Sequence, residues 1–149
     1  MTPPNGLDQI KAVFGDPAVP GFEAEHIVSF DLPYPLIYGT AMVRRSRCHR
    51  LMAPIFVEAL ADLKREGLAD RASHYAGIYA LRLIRGTKSG RVSTHSWGIA
   101  IDLNPHENKL GTFGRMHPGV IAVMAHHGFL WGGYFKRRDP MHFQYATGY

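Results

Sequence analysis

Two short segments of this chain combine residue types that can hold a metal ion and move a proton. Residues 93–102 read Ser-Thr-His-Ser-Trp-Gly-Ile-Ala-Ile-Asp, and residues 139–143 read Asp-Pro-Met-His-Phe. Zinc favours neutral imidazole and carboxylate ligands, and a catalytic zinc site keeps three protein ligands and one open position. His95 and Asp102 are seven residues apart, too far to converge from one rigid element. A turn at Gly98 followed by a strand folds both side chains back toward one point. His142, on a neighbouring strand, completes a set of two histidines and one carboxylate. Asp139 precedes His142 by three residues, near enough to take a proton from a water at that metal and return it to a leaving amine. Pro140 between them fixes the local backbone and removes one N–H. An arginine is the natural partner of a developing oxyanion or a substrate carboxylate. Arg85 is the expected residue. Alternation along Tyr75 to Arg85 puts it on one face with Tyr79, Leu81 and Leu83, and puts the alternative, Arg82, on the other.

The elements that must position these residues mix helices and strands without a βαβ rhythm. Leu7 to Phe14 reads as a short helix, and residues 15 to 35 as an irregular, proline-rich lead-in with one short strand near His26 to Phe30. Leu51, Ile55, Ala59 and Leu63 recur every fourth position, joined by Met52, Phe56 and Leu60. That spacing predicts a helix over Arg47 to Glu66, stopped by Gly67. Tyr75 to Arg85, rich in aromatic and branched residues, is expected to be a strand leading through the loop Gly-Thr-Lys-Ser-Gly-Arg-Val-Ser-Thr to His95. Ile99 to Leu103 and Met141 to Tyr145 are further short strands, and His117 to His127 a helix with Pro118 in its first turn. The pattern predicts an α+β domain with a small, mainly antiparallel sheet and flanking helices. One domain over 1–149 is expected, with 1–35 as lead-in and 75–145 as its catalytic core.

Of the 149 residues, 46% are hydrophobic and 19% charged, which suits a folded core and excludes wholesale disorder. Seventeen Lys and Arg against twelve Asp and Glu give a formal charge of +5, favouring anionic partners without choosing among them. Cys48 is the single cysteine, which excludes an internal disulfide and a thiolate zinc cluster. The N-terminus has neither a basic start nor an apolar run of signal-peptide length, and nothing approaches the ~20 apolar residues of a membrane span. Synthesis in the cytoplasm, with no stable membrane insertion, is the expectation. Several readings compete with chemistry: Trp97 and Trp131 as packing aromatics, and His126 and His127 as helix-end residues meeting the dipole. His106 and His117 read as exposed, Cys48 as inert, and the run at 44 to 50, with four arginines and no acid, as a solvated basic surface.

Ser-x-His-x-x-Gly-x-Ala-x-Asp at 93–102, followed by Asp-x-x-His-Phe at 139–143, resembles the zinc D-Ala-D-Ala peptidase family. That family includes D,D-dipeptidases, D,D-carboxypeptidases and phage endolysins acting as L-alanyl-D-glutamate peptidases. The similarity runs from Tyr75 to Tyr145. It implies a hedgehog-like domain with one Zn2+ on His95, Asp102 and His142, and Asp139 as acid/base. It also implies substrate contact by Ser93, for which loop capping is the alternative. Many family members carry Glu where this chain has Asp139, whereas Asp and Trp131-Gly132-Gly133 look like the endolysin branch. The expectation is thus an L-alanyl-D-glutamate endopeptidase acting on peptidoglycan stem peptides, monomeric, reaching the wall after release. A D-Ala-D-Ala carboxypeptidase or dipeptidase is the alternative, and a non-hydrolytic wall-binding or virion module comes from another class. Nucleic acid is not expected as a partner, because the chain has no helix-turn-helix or RNA-recognition signature.

Overall fold

The computed structural model describes residues 1–86 and 88–149; Thr87, part of the loop expected before His95, lies outside them. Ile10 and Phe14 stand one helical turn apart, and both are fully buried on helix α1 (Gly6–Phe14). A short helix α2 (Phe22–His26) leads directly into strand β1 (Ile27–Tyr38), so the lead-in is more regular than its prolines suggest. β1 pairs antiparallel with β2 (Ala41–His49), from Ile27 opposite His49 to Tyr38 opposite Ala41. The register shifts between Asp31 and Leu36, the interval that holds Pro33 and Pro35. Neither proline has an N–H for the ladder, so the hairpin takes them up as an irregularity instead of ending there. β2 includes much of the basic run that reads from sequence as surface beside a helix start. Its burial lacks a simple apolar alternation, and only Ser46, Cys48 and His49 are buried.

Helix α3 (Ala53–Arg65) begins six residues later than expected, with Pro54 in its first turn. A proline is tolerated there and not in a helix interior, which is why the spacing-based start at Arg47 fails. Met52, Phe56, Ala59, Leu60 and Leu63 are fully buried, whereas Leu51 is 43% exposed. Burying side chains of this kind contributes about 1.5–3 kcal/mol each.

Tyr75 to Arg85 is not a regular strand. It makes isolated bridges, Tyr75 with Leu103 and Leu83 with Val92, and otherwise bonds to scattered groups, among them the carbonyls of Ile37, His95 and Asp102. The facing argument that separated Arg85 from Arg82 therefore loses its basis. Beyond it come β3 (Ala100–Asp102), α4 (Pro118–His126), β4 (Leu130–Trp131) and β5 (His142–Gln144). The three strands form one antiparallel sheet in the order β3-β5-β4, with Asp102 opposite His142. The architecture is α+β with small antiparallel sheets and flanking helices, as the sequence pattern predicts. Phe129 bridges its parts, in ring contact with Phe56 of α3 and with Tyr145 after β5. Among the described residues no helix is long and apolar enough to cross a membrane.

Candidate metal centre and its cleft

His95 lies on a one-turn 3-10 helix, Thr94–Trp97, whose N-cap Ser93 accepts a hydrogen bond from the His95 N–H at 3.4 Å. Gly98 then adopts φ 69°, the left-handed region that side chains rarely visit, and its N–H returns to the His95 carbonyl. A Cβ on Gly98 would stand 2.6 Å from the His49 nitrogen, so this turn needs glycine on both counts. The reversal lets β3 carry Asp102 back beside His95, and sheet register places His142 opposite Asp102. One ligand atom from each of the three residues comes within 4.8 Å of the others, and all three side chains are buried.

The bonding around the two rings decides what this trio can hold. His95 Nδ1 is 2.7 Å from the Ile78 carbonyl, which accepts only, so Nδ1 carries the hydrogen. His95 Nε2 is left with a lone pair; it is buried without a hydrogen-bond partner, although Asp102 Oδ1 lies 3.1 Å away. On the other ring, Gln144 Nε2 donates to the carbonyls of Ala146 and Tyr149, each at 3.2 Å, which turns Gln144 Oε1 toward His142. His142 Nε2 donates to that oxygen at 3.0 Å, with Thr94 Oγ1 also bonding to the amide at 3.2 Å. His142 Nδ1 then presents its lone pair to Asp102 Oδ1 at 2.9 Å. Three acceptors converge with no hydrogen assigned between them. A cation resolves that arrangement, and imidazole–imidazole–carboxylate is a zinc donor set whose outer hydrogen bonds fix ring orientation. The residues fit the metal that the sequence resemblance implies. Burial disfavours the Asp102 charge, but the adjoining His95 and His142 rings outweigh it and hold the carboxyl well below the usual range. With no cation, relief comes from proton uptake, and Asp102 draws the His142 pKa upward against the effect of burial.

Asp139 lies three residues before His142 in a loop locked at both ends. Its N–H donates to the Gly132 carbonyl at 2.9 Å, and its carbonyl accepts from His142 N–H at 3.0 Å. Trp131 Nε1 donates to the Pro140 carbonyl at 2.7 Å, so Trp131 holds this loop and is not a bare cleft floor. Gly132 permits the close approach, because a Cβ there would stand 2.4 Å from the Asp139 carbonyl oxygen. Asp139 Oδ1 is buried with no partner, and burial raises the pKa of this carboxyl above its ordinary value.

A cavity of about 420 Å³ brings Asp139 together with Ser93, Asp102, His142, Arg82 and Arg85. A second cavity, of about 530 Å³, is lined by His95 and Asp102 and shares Arg82 and Arg85 with the first. The trio therefore lies where two cavities meet. The Arg82 guanidinium is 4.0 Å from Asp102 Oδ2, while Arg85 makes no ion pair among the described residues. Burial and the nearby Arg85 charge lower the Arg82 pKa, with Asp102 and Asp139 pulling it the other way.

Sequence reasoning missed Thr94 and Gln144. The usable signal was position: Gln144 is two residues after His142 on one strand, hence on the same face. The packing readings fare as follows. Trp97 is buried and donates to the Gly15 carbonyl at 2.8 Å. His127 pairs with Asp62 of α3 at 2.7 Å. Cys48 is fully buried, and burial pushes its thiol up to about 12.

No curated protein and no solved structure matches the chain significantly. A family model described as D-alanyl-D-alanine carboxypeptidase matches residues 87–145, under half of the chain. That stretch contains Ser93, His95, Asp102, Asp139 and His142 and excludes Arg82 and Arg85. The segment that builds the His-Asp-His trio and carries Asp139 is thus the part of the chain that is similar to this carboxypeptidase family.

Proposed function

We propose that this protein is a zinc-dependent peptidase that cleaves peptidoglycan stem peptides, as an L-alanyl-D-glutamate endopeptidase. The observation that carries the reading is Asp139 Oδ1, buried without a hydrogen-bond partner on a half-buried residue that lines the same cavity as Asp102 and His142. A purely structural metal site has no use for such a group. Zinc held by His95 Nε2, His142 Nδ1 and the Asp102 carboxylate supplies Lewis acidity to the scissile carbonyl and to an attacking water. Asp139 takes the proton from that water and delivers it to the departing amine, the role for which a raised carboxyl pKa is suited. Arg85, without an ion pair among the described residues, meets the developing oxyanion or a substrate carboxylate, with Arg82 lining the same cavity. Ser93 lines the same cavity while capping the His95 turn.

The endopeptidase form is favoured because a second cavity continues past the trio, so chain can extend on both sides of the cut. Carboxypeptidase action on D-Ala-D-Ala termini is the second reading, favoured by the description of the matching family. Mass spectrometry of digested peptidoglycan separates them: new N-terminal D-glutamate is the expected product, and loss of terminal D-alanine alone would replace this reading with the second. On this reading the enzyme acts as a monomer, on wall peptide and not on nucleic acid.

A further inference from the structure

We propose that the second cavity is a subsite for a carboxylate-bearing residue of the peptide substrate, gripped by Arg45 and Arg47 of the β1–β2 hairpin. The inference rests on the peptidase reading and extends it to substrate choice. β2 lines this cavity with Val43, Arg45, Ser46 and Arg47, of which Ser46 is buried and the two arginines are exposed. Arg82 and Arg85 line the same cavity, together with His95 and Asp102 of the trio. Four arginines thus line a space in which Asp102, a ligand of the proposed metal, is the only lining acid among the described residues.

Each hairpin arginine is pre-oriented by an acid that lies outside the lining. Arg45 Nε is 3.0 Å from Asp31, its cross-strand neighbour, and Arg47 is 2.7 Å from Glu23 while stacked over the Tyr79 ring. A guanidinium has five N–H donors, so these pairs leave donors for a ligand. Both pairs are largely exposed, where an ion pair is worth little and is readily shared with an incoming carboxylate. Planar, bidentate recognition of carboxylate is the chemistry that arginine supplies better than lysine. The hairpin also falls outside residues 87–145, so the chain builds the reaction centre from its family-like segment and this wall from another part.

The test is a binding cycle on zinc-loaded, full-length protein. The probes are a synthetic stem peptide with free carboxylates and copies in which each carboxylate in turn is a carboxamide. Titration calorimetry on the Asp139→Asn background measures affinity with turnover suppressed. Amidating one particular carboxylate should weaken binding roughly 10-fold, the reach of two exposed charge pairs. Arg45→Gln/Arg47→Gln should cost about the same, and the two losses should not add. Arg45→Gln alone, at an exposed site, serves if the double variant has a lowered melting temperature. Additive losses, or full affinity in the arginine variants, would overturn the subsite. So would a loss seen only for a polyphosphate competitor and not for the peptide. If wild-type protein cuts no wall peptide yet the non-additivity holds, the peptidase reading fails and the subsite stands.

Discussion

Three buried acceptors, His95 Nε2, His142 Nδ1 and Asp102 Oδ1, meet at one point because groups behind them leave no alternative. The Ile78 carbonyl sets the His95 tautomer, and the Gln144 amide sets that of His142. Gln144 is itself committed by two donated bonds, to Ala146 and Tyr149, so its orientation is dictated from the C-terminal segment. Removing an outer-shell partner of this kind typically costs 10–100-fold in metal affinity. Gln144→Leu should therefore weaken zinc binding by about that factor in chelator competition while the fold persists. Unchanged affinity would mean that Gln144 is only a packing residue. At this scale the four chemical residues were legible from sequence because zinc chemistry admits few residue types and the two motifs are dense in them. Gln144 and Thr94 were not, since an amide or hydroxyl carries no such restriction. Arg85 rested on strand alternation that the backbone does not follow, and both arginines line the cleft.

The elements act mainly through close backbone approaches. Gly132 holds the Asp139 loop against the start of the 3-10 turn Gly132–Tyr134, with no space for a Cβ. Gly132→Ala should destabilise the protein by about 1–3 kcal/mol in chemical denaturation, the usual range for overpacking, and lower activity by displacing Asp139. A native unfolding midpoint would show that the loop relaxes freely. On the hairpin side, His49 Nε2 bonds to the Phe14 carbonyl at 3.1 Å, and His49 Nδ1 accepts from Leu51 N–H at 3.2 Å, tying β2 to α1. Burial lowers this ring's pKa from 6.5 to about 4. Above 6.5 both folded and unfolded rings are neutral, so stability is at its full value. As pH falls from there, the unfolded chain takes up a proton that the folded ring refuses, and stability declines until about 4, where the folded ring also charges. The total is on the order of 3 kcal/mol. Urea unfolding at pH 7.5 and 4.5 should show most of that loss in wild type and much less in His49→Gln. An equal loss in both would assign the effect to other groups. β2 and the Tyr75 to Arg85 segment were the elements least legible in sequence. β2 carries arginines where an amphipathic strand would alternate, and Tyr75 to Arg85 has strand composition but divides its backbone bonds among β1, the His95 turn and Asp102 instead of one partner strand.

Across the whole molecule, the N-terminal half contributes cavity wall and core, and the C-terminal half contributes the His95, Asp102 and His142 trio and Asp139. The ends meet, with Gly6 N–H donating to the Thr147 carbonyl at 2.8 Å and Asn5 bridging to Thr147. Trp97, next but one to His95, is anchored by the Gly15 carbonyl at the end of α1. The α+β class was legible because α3 carries a helical spacing and the short segments around β3 and β5 read as strands between turn residues; the packing between halves was not, because it depends on contacts far apart in sequence. The formal charge of +5 acquires a location, with arginines gathered around the two cavities and away from any recognisable nucleic-acid motif. The central claim is that this assembly hydrolyses wall peptide with Asp139 as acid/base. The most direct measurement is the rate at which Asp139→Asn releases peptide from purified peptidoglycan, with zinc content measured on the same sample. Asn keeps nearly the same shape but cannot accept the proton. The account predicts near-normal zinc, a native melting profile, and a rate reduced by ~10²–10⁴-fold relative to wild type. A variant that keeps its zinc and digests the wall at close to the wild-type rate would contradict it.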